Sequence, residues 1–425
     1  MNLDLTTTDS LDNLGKKALA ASRKLAVTST QERNSWLNAM ADALLENMNE
    51  ILAANAADLE DARKNGLEAS KIDRLTLNSE RVIAMTQALR HLVALPDPVG
   101  RILSSQTRPN GLHIDKVSVP LGVIGIIYES RPNVTVDAAS LCIKSGNAVV
   151  LRGGSEAFHS NQVLTECIVN AAEAAGMPSG AIQFVPFKGH DVVNYLLKMD
   201  RYINVMIPRG SERLIRAVVE QATMPVIKHY KGVCHIYVDG DCHNLEQALD
   251  IIKNAKCQRP GVCNALETIL IDQKIAKSFS PILADFLKEN GVEMHGDELF
   301  RQYANRSGII PATENDWPAE YLALTVAIKI VNGIHEAIAH INQYGSGHSD
   351  CILTDCQETA EMFLNEVDSA AVYHNASTRF TDGGEFGMGA EMGISTDKLH
   401  VRGPMGLEEL NSYKYKIRGN GQIRK

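Results

Sequence analysis

From about residue 100 onward, short continuous apolar runs alternate with helix-length amphipathic stretches, and this rhythm restricts the chain more than any other feature. The runs are Val117–Ile127, Ala148–Leu151, Ile182–Pro186 and Ile203–Ile207. Between and after them lie the helical patterns Val136–Lys144, Asn161–Ala175, Val192–Lys198 and Ser211–Gln221. A strand with no polar face must be covered on both sides, and strands joined through helices run parallel. The expected fold class is therefore α/β with a buried parallel sheet. His235–Val238, just before the Asp239-Gly240-Asp241 break, reads as the last strand of this unit. A second βα series begins with helix Leu245–Ala255 and strand Thr268–Ile271. The first 95 or so residues read as helices. Ser29-Thr-Gln-Glu32 is a capping box, Trp36, Met40, Leu44 and Met48 form one apolar face, and Asn65-Gly66 is a helix stop.

At 425 residues the chain exceeds one core and predicts two or three domains. A net charge of −9 with no basic run argues against nucleic acid, while a few arginines in one cleft can still bind a small anion. The start, MNLDLTTTDSLDNLGKK, lacks the charged and apolar regions of a signal peptide, and the most apolar run, Val119–Tyr128, is about half the ~20 residues that a membrane span needs. These features predict a cytoplasmic protein with no membrane contact, whose eight cysteines are mostly reduced. Cys257/Cys263 and Cys351/Cys356 are spaced too widely for a structural zinc site, and the Cys234-His235 and Cys242-His243 neighbours point to opposite faces if they lie in strands. No metal is expected.

No G-x-G-x-x-G follows a strand; Gly387-Met-Gly389 sits in a glycine-rich loop instead. Two βα turns are better placed for a dinucleotide. Ala148–Ala157 ends a strand with Arg152, two glycines and Ser155. Val205–Leu214 carries Pro208 and puts Gly210-Ser211 at a helix start, where free N–H groups favour a pyrophosphate. Taken alone, the first reads better as a surface turn, and the second as an ordinary N-cap. Cys263 follows Pro260-Gly261-Val262, and a helix starting there would make its thiolate more available, with Lys256 and Arg259 adding positive charge. Cys257 falls at the end of the preceding helix, which disfavours thiolate.

The segment NAKCQRPGVCNALET resembles the nucleophile stretch of the aldehyde dehydrogenase superfamily, in the branch that reduces an acyl phosphate. The resemblance runs through VPLGVIGIIYESRPNVTVDAASLCIKSGNAVVLRGG, VMIPRGSERL, GVCHIYVD, VNGIHEAIAHINQYGSGHSDCI, NASTRFTDGGEFGMGAE and LHVRGPMGLEELNSYKY. It implies a Rossmann-type NADP(H)-binding domain from residues 1–102 and 120–238, an α/β catalytic domain from 239–400, and a small β oligomerisation element from 103–119 and 401–425. It implies NADPH-dependent reduction of L-glutamyl 5-phosphate to glutamate 5-semialdehyde in proline biosynthesis, in a homo-oligomer, with an association with glutamate 5-kinase. Cys263 is the implied nucleophile, and Cys257 has no role. Arg131, with Asn133 as the alternative, would help hold the oxyanion. Arg152, Ser155, Pro208, Gly210, Ser211 and Glu320 would bind cofactor. Arg131, Ser377 and Arg379 would bind substrate, with Asp382 or Glu385 near its ammonium. Oxidising relatives carry a glutamate base where this chain has Ile227-Lys228-His229-Tyr230-Lys231-Gly232, which argues against the first alternative, a hydrolytic NAD(P)-dependent aldehyde dehydrogenase. The presence of Cys263 argues against the second, a non-catalytic protein that keeps the fold. Lys228 and His229 are open as to any direct part, and His340 and His348 belong to the signature without an implied chemical role.

Overall fold

The computed structural model describes residues 3–228 and 230–424. The chain divides into two compact units, one of Met1–Lys228, Gly387–Gly393 and Met405–Lys425, the other of His229–Phe386 and Ile394–Pro404. No helix among the described residues is long and apolar enough to cross a membrane.

The first unit opens with five helices, Leu5–Leu25, Thr30–Glu46, Met48–Lys64, Ala69–Leu75 and Ser79–Ala94. Ser29 and Glu32 form the expected capping box, and Trp36, Met40 and Leu44 are buried on the face that their spacing defines. Gly66 takes φ +69° just past the third helix, a left-handed stop that glycine adopts at little cost. A four-stranded parallel sheet follows, in the order Ile182–Phe184, Ala148–Gly153, Val123–Tyr128, Val205–Arg209. Every residue of the central strand Val123–Tyr128 is buried, as its unbroken apolar run requires. Helices Asn133–Lys144, Phe158–Ala174 and His190–Leu196 provide the three crossovers, and Glu212–Gln221 follows the last strand. A separate antiparallel sheet joins Ile102–Thr107, His113–Pro120 and Asn411–Arg418, which overlap the two segments that the resemblance groups into a β element.

The second unit is built on a seven-stranded parallel sheet in the order Ile310–Pro311, Glu293–Gly296, Thr325–Val331, Leu266–Asp272, Cys234–Val238, Ser349–Leu353, Ala371–His374. This corrects one expectation. Cys234–Val238 belongs to this sheet and not to the first, because it pairs with Leu266–Asp272 on one side and Ser349–Leu353 on the other. Helices Leu245–Cys257 and Gln273–Glu289 pack one face through Ile252, Phe279 and Leu283, and Ile334–Tyr344 and Gln357–Glu366 cover the other through Ile338, Ile341 and Phe363.

Candidate active site

In the second unit, residues 258–265 connect the end of helix Leu245–Cys257 to strand Leu266–Asp272, and Cys263 lies at their tip. The Ala265 N–H donates to the Val262 carbonyl at 3.1 Å, closing a tight turn with Cys263 and Asn264 at its centre. No helix starts there, contrary to the sequence expectation. The next seven residues, Leu266–Asp272, are all buried, and Thr268–Ile271 pair on both sides, so sheet formation overrides the local helical character of Asn264–Glu267. The thiol is half-buried.

The turn is held from several directions. Gly232 passes so close that a Cβ there would lie 1.8 Å from the Cys263 carbonyl oxygen, so only glycine permits this approach. The same carbonyl accepts the Cys234 S–H at 3.3 Å. Cys234 is fully buried, and burial pushes its pKa well above the ordinary thiol value, which keeps it a protonated donor. Asn264 Nδ2 donates to the carbonyls of Arg379 and Thr381 at 3.3 and 2.9 Å, and Thr378 Oγ1 donates to the Asn264 carbonyl at 2.8 Å. The Arg379 guanidinium bonds Asn264 Oδ1 and, at 3.1 Å, Gln258 Oε1. Burial, then the neighbouring Arg259 cation, lowers its pKa. Ser377 is buried and caps the Thr378–Phe380 turn by accepting the Arg379 N–H at 3.2 Å. Arg379 thus meets the Cys263 turn, and Ser377 caps the short turn that carries Arg379. Asp382 Oδ1 accepts the Gly384 N–H at 2.9 Å, and Glu385 is exposed.

One expectation about a neighbouring residue changes. Lys256 is fully buried and paired with Glu267 at 2.8 Å, so its charge is committed and does not face the thiol. Cys257 packs at the edge of the apolar core, and burial raises its pKa. Glu320 accepts the Gly232 N–H at 2.8 Å, which ties the loop of a proposed ribose ligand to the glycine that abuts Cys263. Among the signature residues, Asp350 Oδ1 accepts from both His235 N–H and His235 Nδ1, at 2.8 and 2.9 Å, and His348 Nδ1 lies 2.8 Å from Ser349 Oγ. His340 is buried between aromatic rings. Cys234, Gly232 and Glu267 were not singled out from the sequence; a buried cysteine, a glycine and a strand carboxylate carry no local signal of such contacts.

In the first unit, Arg152 is the penultimate residue of its strand and donates to the Gly153 carbonyl at 2.8 Å; its Nε is buried with no partner among the described residues, and burial lowers its pKa. Ser155 is exposed at the head of a short 3-10 turn. Pro208 is buried in its strand, opposite Ile127. Gly210 and Ser211 are exposed, and Ser211 caps helix Glu212–Gln221. The Glu129 carboxylate occupies that helix start, accepting from Ser211 N–H at 2.8 Å and from Ser211 Oγ at 3.2 Å. Ser130 has φ +41°, a left-handed conformation rare outside glycine, and donates through N–H and Oγ to Glu156 Oε1 at 2.7 and 2.6 Å. Arg131 follows it. Asn133 opens its helix and donates to Asp137 at 2.8 Å, and burial raises the Asp137 pKa to about 6. Lys228 is half-buried, and His229 lies outside the described residues.

The fold that carries this cysteine turn and serine-capped helix start has known relatives. The model of the aldehyde dehydrogenase family matches residues 2–300, and the chain belongs to that family. It is 54% identical over 416 residues to the gamma-glutamyl phosphate reductase of Carboxydothermus hydrogenoformans, covering 98% of this chain and 100% of that protein. It is 56% identical to the gamma-glutamyl phosphate reductase of Moorella thermoacetica, covering 96% and 97%. The crystal structure of gamma-glutamyl phosphate reductase from Thermotoga maritima superposes with a TM-score of 0.95 at 45% identity, covering 98% of this chain and 100% of that one.

Proposed function

We propose that this chain reduces L-glutamyl 5-phosphate to L-glutamate 5-semialdehyde and phosphate in proline biosynthesis, through a thioester on Cys263. The observation that carries this reading is the Cys263 turn, locked to the Arg379 loop through Asn264, in a chain more than half identical over nearly its full length to reductases of that name. The Cys263 thiolate attacks the acyl-phosphate carbonyl, the carbonyl–phosphate bond breaks and phosphate leaves with its electron pair. Hydride addition to the thioester carbonyl gives a thiohemiacetal oxyanion, which the Cys263 backbone N–H stabilises; Arg131, or Asn133 as the alternative, is the second donor that the family resemblance offers. Collapse breaks the C–S bond, frees the aldehyde and restores the thiolate. Arg379 and Ser377 supply donors to the substrate anions, the guanidinium as a planar fork.

The family works with NAD(P). NADPH, when bound, supplies the hydride. The donor set suits it: Arg152 and Ser155 offer charge and room for a 2′-phosphate, the Gly210-Ser211 helix start suits the diphosphate, and Glu320 suits a ribose. Pro208 shapes the approach to that helix. The exposed antiparallel sheet, with Tyr413, Tyr415 and Ile417 on its outer strand, supports a homo-oligomer. The reaction is read as cytoplasmic.

The test follows reduced cofactor with glutamate 5-semialdehyde, NADP and phosphate. Strict phosphate dependence supports the proposal, and turnover without phosphate replaces it by hydrolytic oxidation. Cys263→Ala should abolish turnover while Cys257→Ala leaves it within about twofold, since surface-side packing changes of this kind are small; equal losses refute the assignment.

A further inference from the structure

The Cys263 turn has a neck, and a buried ion pair closes it. Lys256 is the penultimate residue of the helix that enters the turn, and Glu267 is the second residue of the strand that leaves it. Both side chains are completely buried, with Lys256 Nζ 2.8 Å from Glu267 Oε2. The second carboxylate oxygen, Oε1, accepts the Leu322 N–H at 3.3 Å. Leu322 has φ +53°, a left-handed conformation that an exposed branched residue takes up only when held there. Two residues earlier in the same loop, Glu320 accepts the Gly232 N–H, and Gly232 abuts the Cys263 carbonyl. The contacts therefore form a closed circuit: Lys256 to Glu267, Glu267 to the 320–322 loop, that loop to Gly232, and Gly232 back to the nucleophile turn.

A buried ion pair is a poor way to gain stability, because removing two charges from water offsets most of their attraction, and apolar residues of similar volume usually serve as well. What it supplies here is geometry. We propose that Lys256 and Glu267 are positioning residues for the reductase reaction, clasping the base of the Cys263 turn and registering it against the Glu320 loop. Neither side chain touches substrate. Burial pushes the Glu267 pKa up to about 7 and the Lys256 pKa down, which fits a pair shut off from solvent. The inference rests on the function proposed above.

The test compares the wild type with Lys256→Met/Glu267→Leu, which removes the clasp without stranding a charge. The expected result is a folded protein. Its turnover should fall about 10²-fold at a KM for aldehyde within about threefold, the loss expected when a reacting group is misplaced by about 1 Å. Amide hydrogen exchange of residues 258–266 and 319–323 should accelerate at least about tenfold, as for any segment whose local opening becomes easier. Peptides of the first unit should exchange as in the wild type. Wild-type turnover in the folded double variant overturns the proposal, and so does a turnover loss with unchanged exchange in 258–266. Should the Met/Leu variant fail to fold, Glu267→Gln with Lys256 intact carries the same two readouts. Exchange is measured without substrate, so it decides the clasp even if the wild type shows no phosphate-dependent activity, a result that would instead sink the proposed function.

Discussion

Replacing His340 by Phe should remove part of the second unit's acid sensitivity. His340 is 3% exposed, with ring centroids of Trp317, Tyr344 and His235 at 5.4, 4.7 and 5.7 Å. Neither ring nitrogen has a hydrogen-bond partner among the described residues. Burial first, then the neighbouring His235 and Lys329, pushes its pKa from 6.5 down to about 3. The folded value lies below the unfolded one, so between these limits the unfolded chain binds a proton that the native chain refuses. Stability contributed by the neutral ring is therefore complete above pH 6.5 and is lost as pH falls below it. From pH 7.5 to 5.5, with an unfolded pKa of 6.5, the linkage integral comes to about 1.4 kcal/mol. The assay is urea unfolding at the two pH values, in a Trp36→Phe background so that Trp317 alone reports. The wild type should lose about 1.4 kcal/mol more than His340→Phe over that step. Equal losses would mean that the native protein protonates His340, and would refute the burial reasoning.

Gly232→Ala places a methyl 1.8 Å from the Cys263 carbonyl oxygen, so the backbone must move; overpacking of this kind costs about 1–3 kcal/mol. Thermal melts should show that loss together with at least about tenfold lower turnover, given the sensitivity of reacting geometry to small displacements, and a variant normal in both would contradict the contact. Glu129→Gln removes a carboxylate from the helix start that the NADPH diphosphate is proposed to use. Charge at a helix terminus is worth about 0.3–1 kcal/mol, so NADPH should bind about 2–5-fold tighter by fluorescence titration, and weaker binding would show that Glu129 holds the cofactor.

The features that could be read from the sequence were those fixed within a few residues. The Ser29–Glu32 box sits inside one helical turn, the unbroken apolar run of Val123–Tyr128 leaves no face for water, and Thr268–Ile271 falls inside the buried strand Leu266–Asp272. Which sheet a strand joins is another matter. Cys234–Val238 is as apolar as the strands before it, and only its pairing with Leu266–Asp272 and Ser349–Leu353, distant in sequence, assigns it to the second unit. The nucleophile turn shows the same division. Pro260-Gly261 marks a turn and the resemblance marks Cys263, yet Asn264-Ala265-Leu266-Glu267 has local helical character that the central strand overrules. What holds the turn comes from far along the chain: Arg379 and Thr381 reach Asn264 from 115 and 117 positions away. Lys256 shows why such partners escape a local reading. A lysine beside a cysteine suggests a charge that activates a thiol, but a carboxylate 11 residues on, across the neck of the turn, draws that charge into the core. Residue type can identify the atom that reacts, whereas the groups that keep it in place are chosen by the sheet, which no spacing rule encodes.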